Sequence, residues 1–127
     1  MQDEELEYWT TYPNVFLVAE SKESGRALGF VAYSQMTSDI VELNRLSVHQ
    51  DFRGLKIGEK LVTRLIEIAK YNEYNTMYLD TSEPQIAGRR LYEKLGFEHL
   101  RFMPMMVYGI EIGVICGLKD VAFIKRL

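Results

Sequence analysis

The sequence predicts an α/β (α+β mixed sheet) fold with elements in the order β-β-β-α-β-α-β-β. Two observations lead there. Two β-rich runs joined by a polar turn open the chain as an antiparallel pair. Two helices then alternate with strands, which requires crossover connections. The 127 residues suffice for a single domain, 1–127, with its own core.

Residues 1–12 look like the end of a helix, with Leu6 and Trp9 three apart and Pro13 as its stop. Asn14 to Glu20 and Ala27 to Gln35 are the first two strands, and Ser21 to Gly25 is the hairpin turn between them. Met36 to Asp39 is a loop before a third strand, Val41 to Val48. Gly58 to about Tyr71 is the strongest helix, with Ile57, Leu61, Leu65, Ile68 and Ala69 as its apolar stripe. Thr76 to Asp80 is a short buried strand. Ser82, with Gln85 three residues later, reads as an N-cap and capping box for a second helix that ends at Gly96. Phe97 to Met103 and Val121 to Lys125 are the last strands, and the apolar run Phe102 to Leu118 is expected to be buried sheet or irregular core.

Composition excludes several classes. A net charge of −3 leaves no general basic footprint for nucleic acid. The single cysteine, Cys116, excludes an internal disulfide and fits a reducing, cytoplasmic compartment. The acidic start (Asp3, Glu4, Glu5, Glu7) is unlike a signal peptide. No metal-ligand cluster is expected. The run from 102 to 118 contains Glu111, Pro104 and three glycines, too interrupted for a spanning helix.

The chemistry is concentrated at Arg53-Gly54-Leu55-Lys56-Ile57-Gly58, between the third strand and the first long helix. The first four N–H groups of a helix lack intrahelical partners, and the helix dipole adds partial positive charge. A strand, a glycine-containing turn and a helix start therefore suit a phosphate or diphosphate. Arg53 and Lys56 add formal charge there, and Gly54 and Gly58 permit close approach.

Three blocks extend this motif: Glu42-Leu43-Asn44-Arg45-Leu46-Ser47-Val48, Arg53 to Gly58, and Leu91-Tyr92-Glu93-Lys94-Leu95-Gly96-Phe97. In this order and spacing they resemble a GNAT N-acetyltransferase. Arg45 to Val48 and Leu79-Asp80-Thr81-Ser82 are more similar to its camello-like branch, which includes the cysteinyl-conjugate N-acetyltransferases. The resemblance implies a GNAT-like acyltransferase fold that grips the pyrophosphate of acetyl-CoA. Lys56 departs from the pattern, standing where the signature has its middle glycine. It is tolerable there if its φ is negative. Gln85 replaces a frequent pantetheine-contacting Asn, and Gly88 a frequent Ala. The front of the domain looks short, and a longer, membrane-anchored form is conceivable.

What the resemblance implies for single residues follows. The backbones of Arg53, Gly54, Leu55, Lys56, Ile57 and Gly58 hold the diphosphate. Those of Leu46, Ser47 and Val48 pair with pantetheine like an added strand, and Gln85 contacts it. Tyr92 protonates the leaving thiolate, its usual pKa near 10 being suited to the task. Glu42 takes the amine proton, with Asp80 and His49 as lesser candidates; Cys116 is an unlikely nucleophile. The function implied is direct transfer of acetyl from acetyl-CoA to a primary amine. The acceptor would be a small amino-acid conjugate or a protein lysine or N-terminus, and a homodimer is possible. The alternative is a non-catalytic acetyl-CoA-binding or protein-interaction module.

Overall fold

The computed structural model describes residues 7–8, 10–82, 86–100, 102–107, 110–115 and 120–127, with side chains outside 80–89, 99–124 and 126. The backbone divides into two compact units, Met1–Met77 with Leu127, and Tyr78–Arg126.

In the first unit, β1 (Val15–Glu20), β2 (Ala27–Gln35) and β3 (Ile40–Val48) form an antiparallel meander. The turn between β1 and β2 is closed by Ser21 N–H donating to the Arg26 carbonyl at 2.9 Å and Gly25 N–H to the Ser21 carbonyl at 2.8 Å. Gly25 has φ +70°, which its lack of a Cβ makes easy. Helix α1 (Ile57–Tyr71) packs on all three strands. Its buried stripe is wider than expected: Ile57, Leu61, Val62, Leu65, Ile66 and Ala69 are buried, while Ile68 is half-buried. These meet Val31, Tyr33, Val41 and Leu43 in the core of the unit. Gly29 lets β2 approach β3 closely, since a Cβ there would meet the Ser47 carbonyl oxygen at 2.6 Å.

The second unit holds most of β4 (Thr76–Ser82), α2 (Ile86–Lys94), β5 (Glu98–Leu100), a hairpin of β6 (Phe102–Val107) and β7 (Ile110–Ile115), and β8 (Asp120–Arg126). The order β4-β8-β5 holds within one sheet, with β5 antiparallel to β8; β6 and β7 pair separately. The run from 102 to 118 contains sheet, the first of the two readings expected of it, as a regular hairpin with Val107 opposite Ile110. The strand expected over Phe97 to Met103 is corrected: it is divided between β5 and β6. Strand β4 runs past its expected end at Asp80 to Ser82, and residues 83–85, which would carry the expected capping box, lie outside the described residues. Among the described residues no helix is long and apolar enough to cross a membrane.

Both helices end in the same way. At α2, Phe97 N–H reaches the Tyr92 carbonyl at 2.9 Å and Gly96 N–H the Glu93 carbonyl at 3.0 Å. Gly96 takes φ +90°, completing a Schellman motif at the glycine the sequence pointed to. At α1, Tyr74 N–H donates to the Ala69 carbonyl at 3.1 Å and Glu73 N–H to the Lys70 carbonyl at 3.0 Å, with Glu73 at φ +67°. A side chain in that region costs roughly 1–2 kcal/mol. Replacing it by glycine returns part of that, less the chain entropy glycine loses. Glu73→Gly is therefore expected to raise stability by about 0.5–1 kcal/mol, read as a higher urea midpoint at unchanged m.

Candidate active site

The site begins where β3 ends. His49 N–H donates to the Leu28 carbonyl at 2.8 Å, which ties the chain back to β2. A single 3-10 turn, Gln50–Phe52, follows. His49 Nδ1 caps it by accepting the Asp51 N–H at 3.2 Å. The half-buried Phe52 ring lies between His49, centroid to centroid 5.5 Å, and the Arg26 guanidinium, 5.2 Å from its centroid. This stack braces the turn. It also gives His49 a structural task at the very nitrogen a base would use.

The chain then enters α1 through alternating backbone signs. Gly54 has φ +86° and Lys56 φ +60°, ψ +25°, with no other positive φ between residues 53 and 58. Alternation of this kind curls successive N–H groups toward one side as an anion-binding nest. Among the described residues, no backbone carbonyl accepts from the N–H groups of Gly54 to Gly58. Lys56 is the N-cap of α1 and its side chain caps nothing. Among the described residues neither Arg53 nor Lys56 makes an ion pair. The turn therefore offers five unfilled amides and two uncompensated cations at the positive end of a helix dipole. The condition set for a side chain at this position is not met: Lys56 has positive φ. The signature carries glycine at this position because the backbone there is left-handed, and lysine adopts the same backbone at a cost of order 1 kcal/mol.

Strand β3 holds a feature the sequence reading missed. Ala32 faces Asn44, and Phe30 faces Ser47, so Arg45 and Leu46 together oppose Val31. This is a β-bulge, with Arg45 at φ +60°. It reverses the facing of the strand. Before it Val41 and Leu43 are buried and their even-numbered neighbours are less so; after it Leu46 and Val48 are the more covered residues and Ser47 is exposed. The signal was present in the spacing of apolar residues at 41, 43, 46 and 48, which breaks period two once.

Glu42 faces Ser34 across the β2–β3 pair. Asn44 Nδ2 donates to Ser34 Oγ at 3.3 Å and to the Glu42 carbonyl at 3.1 Å, building a polar patch around Glu42. Partner residues share a face, and Gly29, the partner of Val48, points its missing Cβ at Leu61 of α1. Tyr33 faces Leu43 on that same side, so Glu42, one residue away, lies on the opposite face of the sheet. About 20 Å of strand separates Glu42 from the end of β3.

Tyr92 belongs to the second unit. It is buried, and its ring meets Phe97 edge-on at 5.7 Å. These two residues are C3 and C″ of the Schellman motif, whose apolar contact they supply. Burial pushes the Tyr92 phenol up from 10 to about 12. At neutral pH it holds its proton firmly and is a weaker acid than an ordinary phenol. Asp80 lies within β4, not beyond its end. Gln85 and Cys116 lie outside the described residues, as do the side chains of the 103–118 segment.

The acetyltransferase (GNAT) family model matches residues 1–97. The chain belongs to that family. Among curated proteins it is 37% identical over 101 residues to the N-acetylaspartate synthetase of Xenopus tropicalis, covering 79% of this chain and 36% of that protein. It is 35% identical over 112 residues to the probable N-acetyltransferase camello of the same organism, covering 85% of this chain and 50% of that one. Both support the camello-like branch. The chain thus spans between a third and a half of these relatives' lengths. Its fold is that of solved family members. A GNAT family acetyltransferase from Elizabethkingia anophelis with acetyl-CoA bound superposes with a TM-score of 0.74 at 19% identity, covering 99% of this chain and 84% of that one. An aminoglycoside 6′-N-acetyltransferase complexed with coenzyme A gives 0.73 at 21% identity, covering 97% and 78%.

The raised pKa of Tyr92 has a consequence for alkaline stability. The folded state favours the neutral phenol, so this contribution is complete below pH 10. It is lost as pH rises from 10 to about 12. The loss amounts to about 2–3 kcal/mol. Between pH 9 and 12 the urea midpoint of wild type should fall more steeply than that of Tyr92→Phe. Parallel curves would show that burial of this hydroxyl is not the cause.

Proposed function

We propose that the chain is the catalytic part of an acetyl-CoA-dependent N-acetyltransferase that acts on a primary amine by direct transfer. The observation that carries this is the bare nest at Gly54 to Gly58, flanked by Arg53 and Lys56. Five amides and two cations suit the two phosphates of a coenzyme A diphosphate, in number and in charge. A coenzyme anchored there has β3 beside it, where the bulge at Arg45 and Leu46 interrupts the ladder and turns main-chain groups away from β2. On this reading the backbones of Leu46, Ser47 and Val48 pair with the pantetheine arm, and Gln85 touches it.

In the reaction the amine nitrogen forms a bond to the thioester carbon while the carbon–sulfur bond breaks. The proton leaves the amine for Glu42, directly or through water, and the sulfur departs as the thiolate. For Tyr92 the resemblance implies a role at that sulfur. Burial pushes this phenol up to about 12, so it gives up its proton less readily than an ordinary phenol. Tyr92 therefore serves the thiolate as a hydrogen-bond donor, and the sulfur takes its final proton elsewhere. The similarity to N-acetylaspartate synthetases makes the amine of aspartate the first acceptor to try, ahead of cysteine conjugates, lysine and peptide N-termini.

A non-catalytic acetyl-CoA-binding module is the second reading. It is favoured by lysine in place of glycine at position 56. Melting temperature with and without acetyl-CoA, followed by thiol release across the amine panel, separates the readings. The enzyme should gain about 2.7 kcal/mol at a hundredfold excess over Kd and release thiol with at least one amine. Tyr92→Phe should then slow thiol release by about 10–100-fold without weakening coenzyme binding. Stabilisation without release supports the module; absence of stabilisation refutes both.

A further inference from the structure

We propose that Lys60, together with Lys56, forms a second anion subsite on the flank of α1 that receives the 3′-phosphate of coenzyme A. The chain then selects coenzyme A over its 3′-dephospho form. This rests on the coenzyme reading of the nest.

Lys56, Lys60 and Arg64 follow one another at intervals of four, which places them in a single row on the helix surface. A surface concavity of about 240 Å³ lies along that row, lined by Lys56, Glu59, Lys60, Thr63, Arg64 and Glu67. Arg64 and Glu67 compensate each other through a 2.9 Å contact between Nη1 and Oε2. Lys60, like Lys56, forms no ion pair among the described residues. The concavity therefore has three cations to two carboxylates, with its excess positive charge at the end nearest the nest. Lys60 stands about 6 Å along the axis from Lys56. The diphosphate and the 3′-phosphate of coenzyme A hang from one ribose, so a ligand held at the nest carries its third phosphate no further than a sugar's reach. That is the interval between the two lysines. Lys60 also borders a second groove of about 320 Å³, lined by residues of β1, β2 and α1.

The test is calorimetric titration of the full chain with coenzyme A and with 3′-dephospho-coenzyme A, for wild type and Lys60→Gln. Wild type should bind coenzyme A about two- to fivefold more tightly, the size of one exposed ionic contact. In Lys60→Gln the ratio should fall to about one, through weaker binding of coenzyme A alone. Equal affinities in wild type overturn the subsite and leave the nest standing, and this holds even if the variant does not fold. An equal loss for both ligands in the variant also overturns it. If neither ligand binds wild type, the coenzyme reading itself fails and the subsite with it.

Discussion

The entrance to α1 must be left-handed. A chain arriving from the end of β3 reaches the helix within a few residues, and it does so with positive φ at Gly54 and Lys56. That geometry aims the amides of the turn to one side and leaves them without carbonyls among the described residues. The surrounding elements of the first unit converge on this turn. The His49–Phe52–Arg26 stack holds its base, α1 supplies its dipole, and β3 leads to it. Five unpaired amides would be a liability in a buried segment. Here Gly54, Leu55 and Lys56 are exposed and Gly58 is half-buried, so the turn is open to solvent on its outer side.

Lysine at position 56 shows how two demands are met by one residue. Glycine would satisfy the backbone and give nothing to the ligand. Lysine accepts a strained backbone and adds a charge on the row that continues through Lys60. The cost and the gain have similar sizes, each of order 1 kcal/mol, so neither outweighs the other on stability grounds alone.

Much of this was legible in the sequence. The front hairpin, α1 and the Gly96 helix end follow from apolar periodicity and turn chemistry, both of which are local. The nest was legible as a motif, although its handedness at Lys56 was not, because the sequence names residues and not their dihedrals. The β6–β7 hairpin was hidden by composition: a nearly unbroken apolar run shows no period two, and Pro104 argues against a strand. The continuation of β4 to Ser82 depended on sheet pairing that no local preference records. Tyr92 was read for a proton it could give. Its burial, which makes that gift harder, is a property of packing and invisible in a list of residue types.

The extra residue in β3 acts as a phase shifter between the two ends of the strand. With it, Val41 and Leu43 at the front and Leu46 and Val48 at the rear can all seek cover while Glu42 and Ser47 do not. A homologue shortened by one residue at Arg45 would face a choice: unbury the rear of β3 or rotate the phosphate turn to the wrong side of the sheet. Loop lengths elsewhere in the first unit carry no such penalty. Insertions and deletions in this lineage should therefore accumulate at Ser21–Gly25 and at Met36–Asp39, and the interval between Leu43 and Leu46 should be the least negotiable distance in the chain.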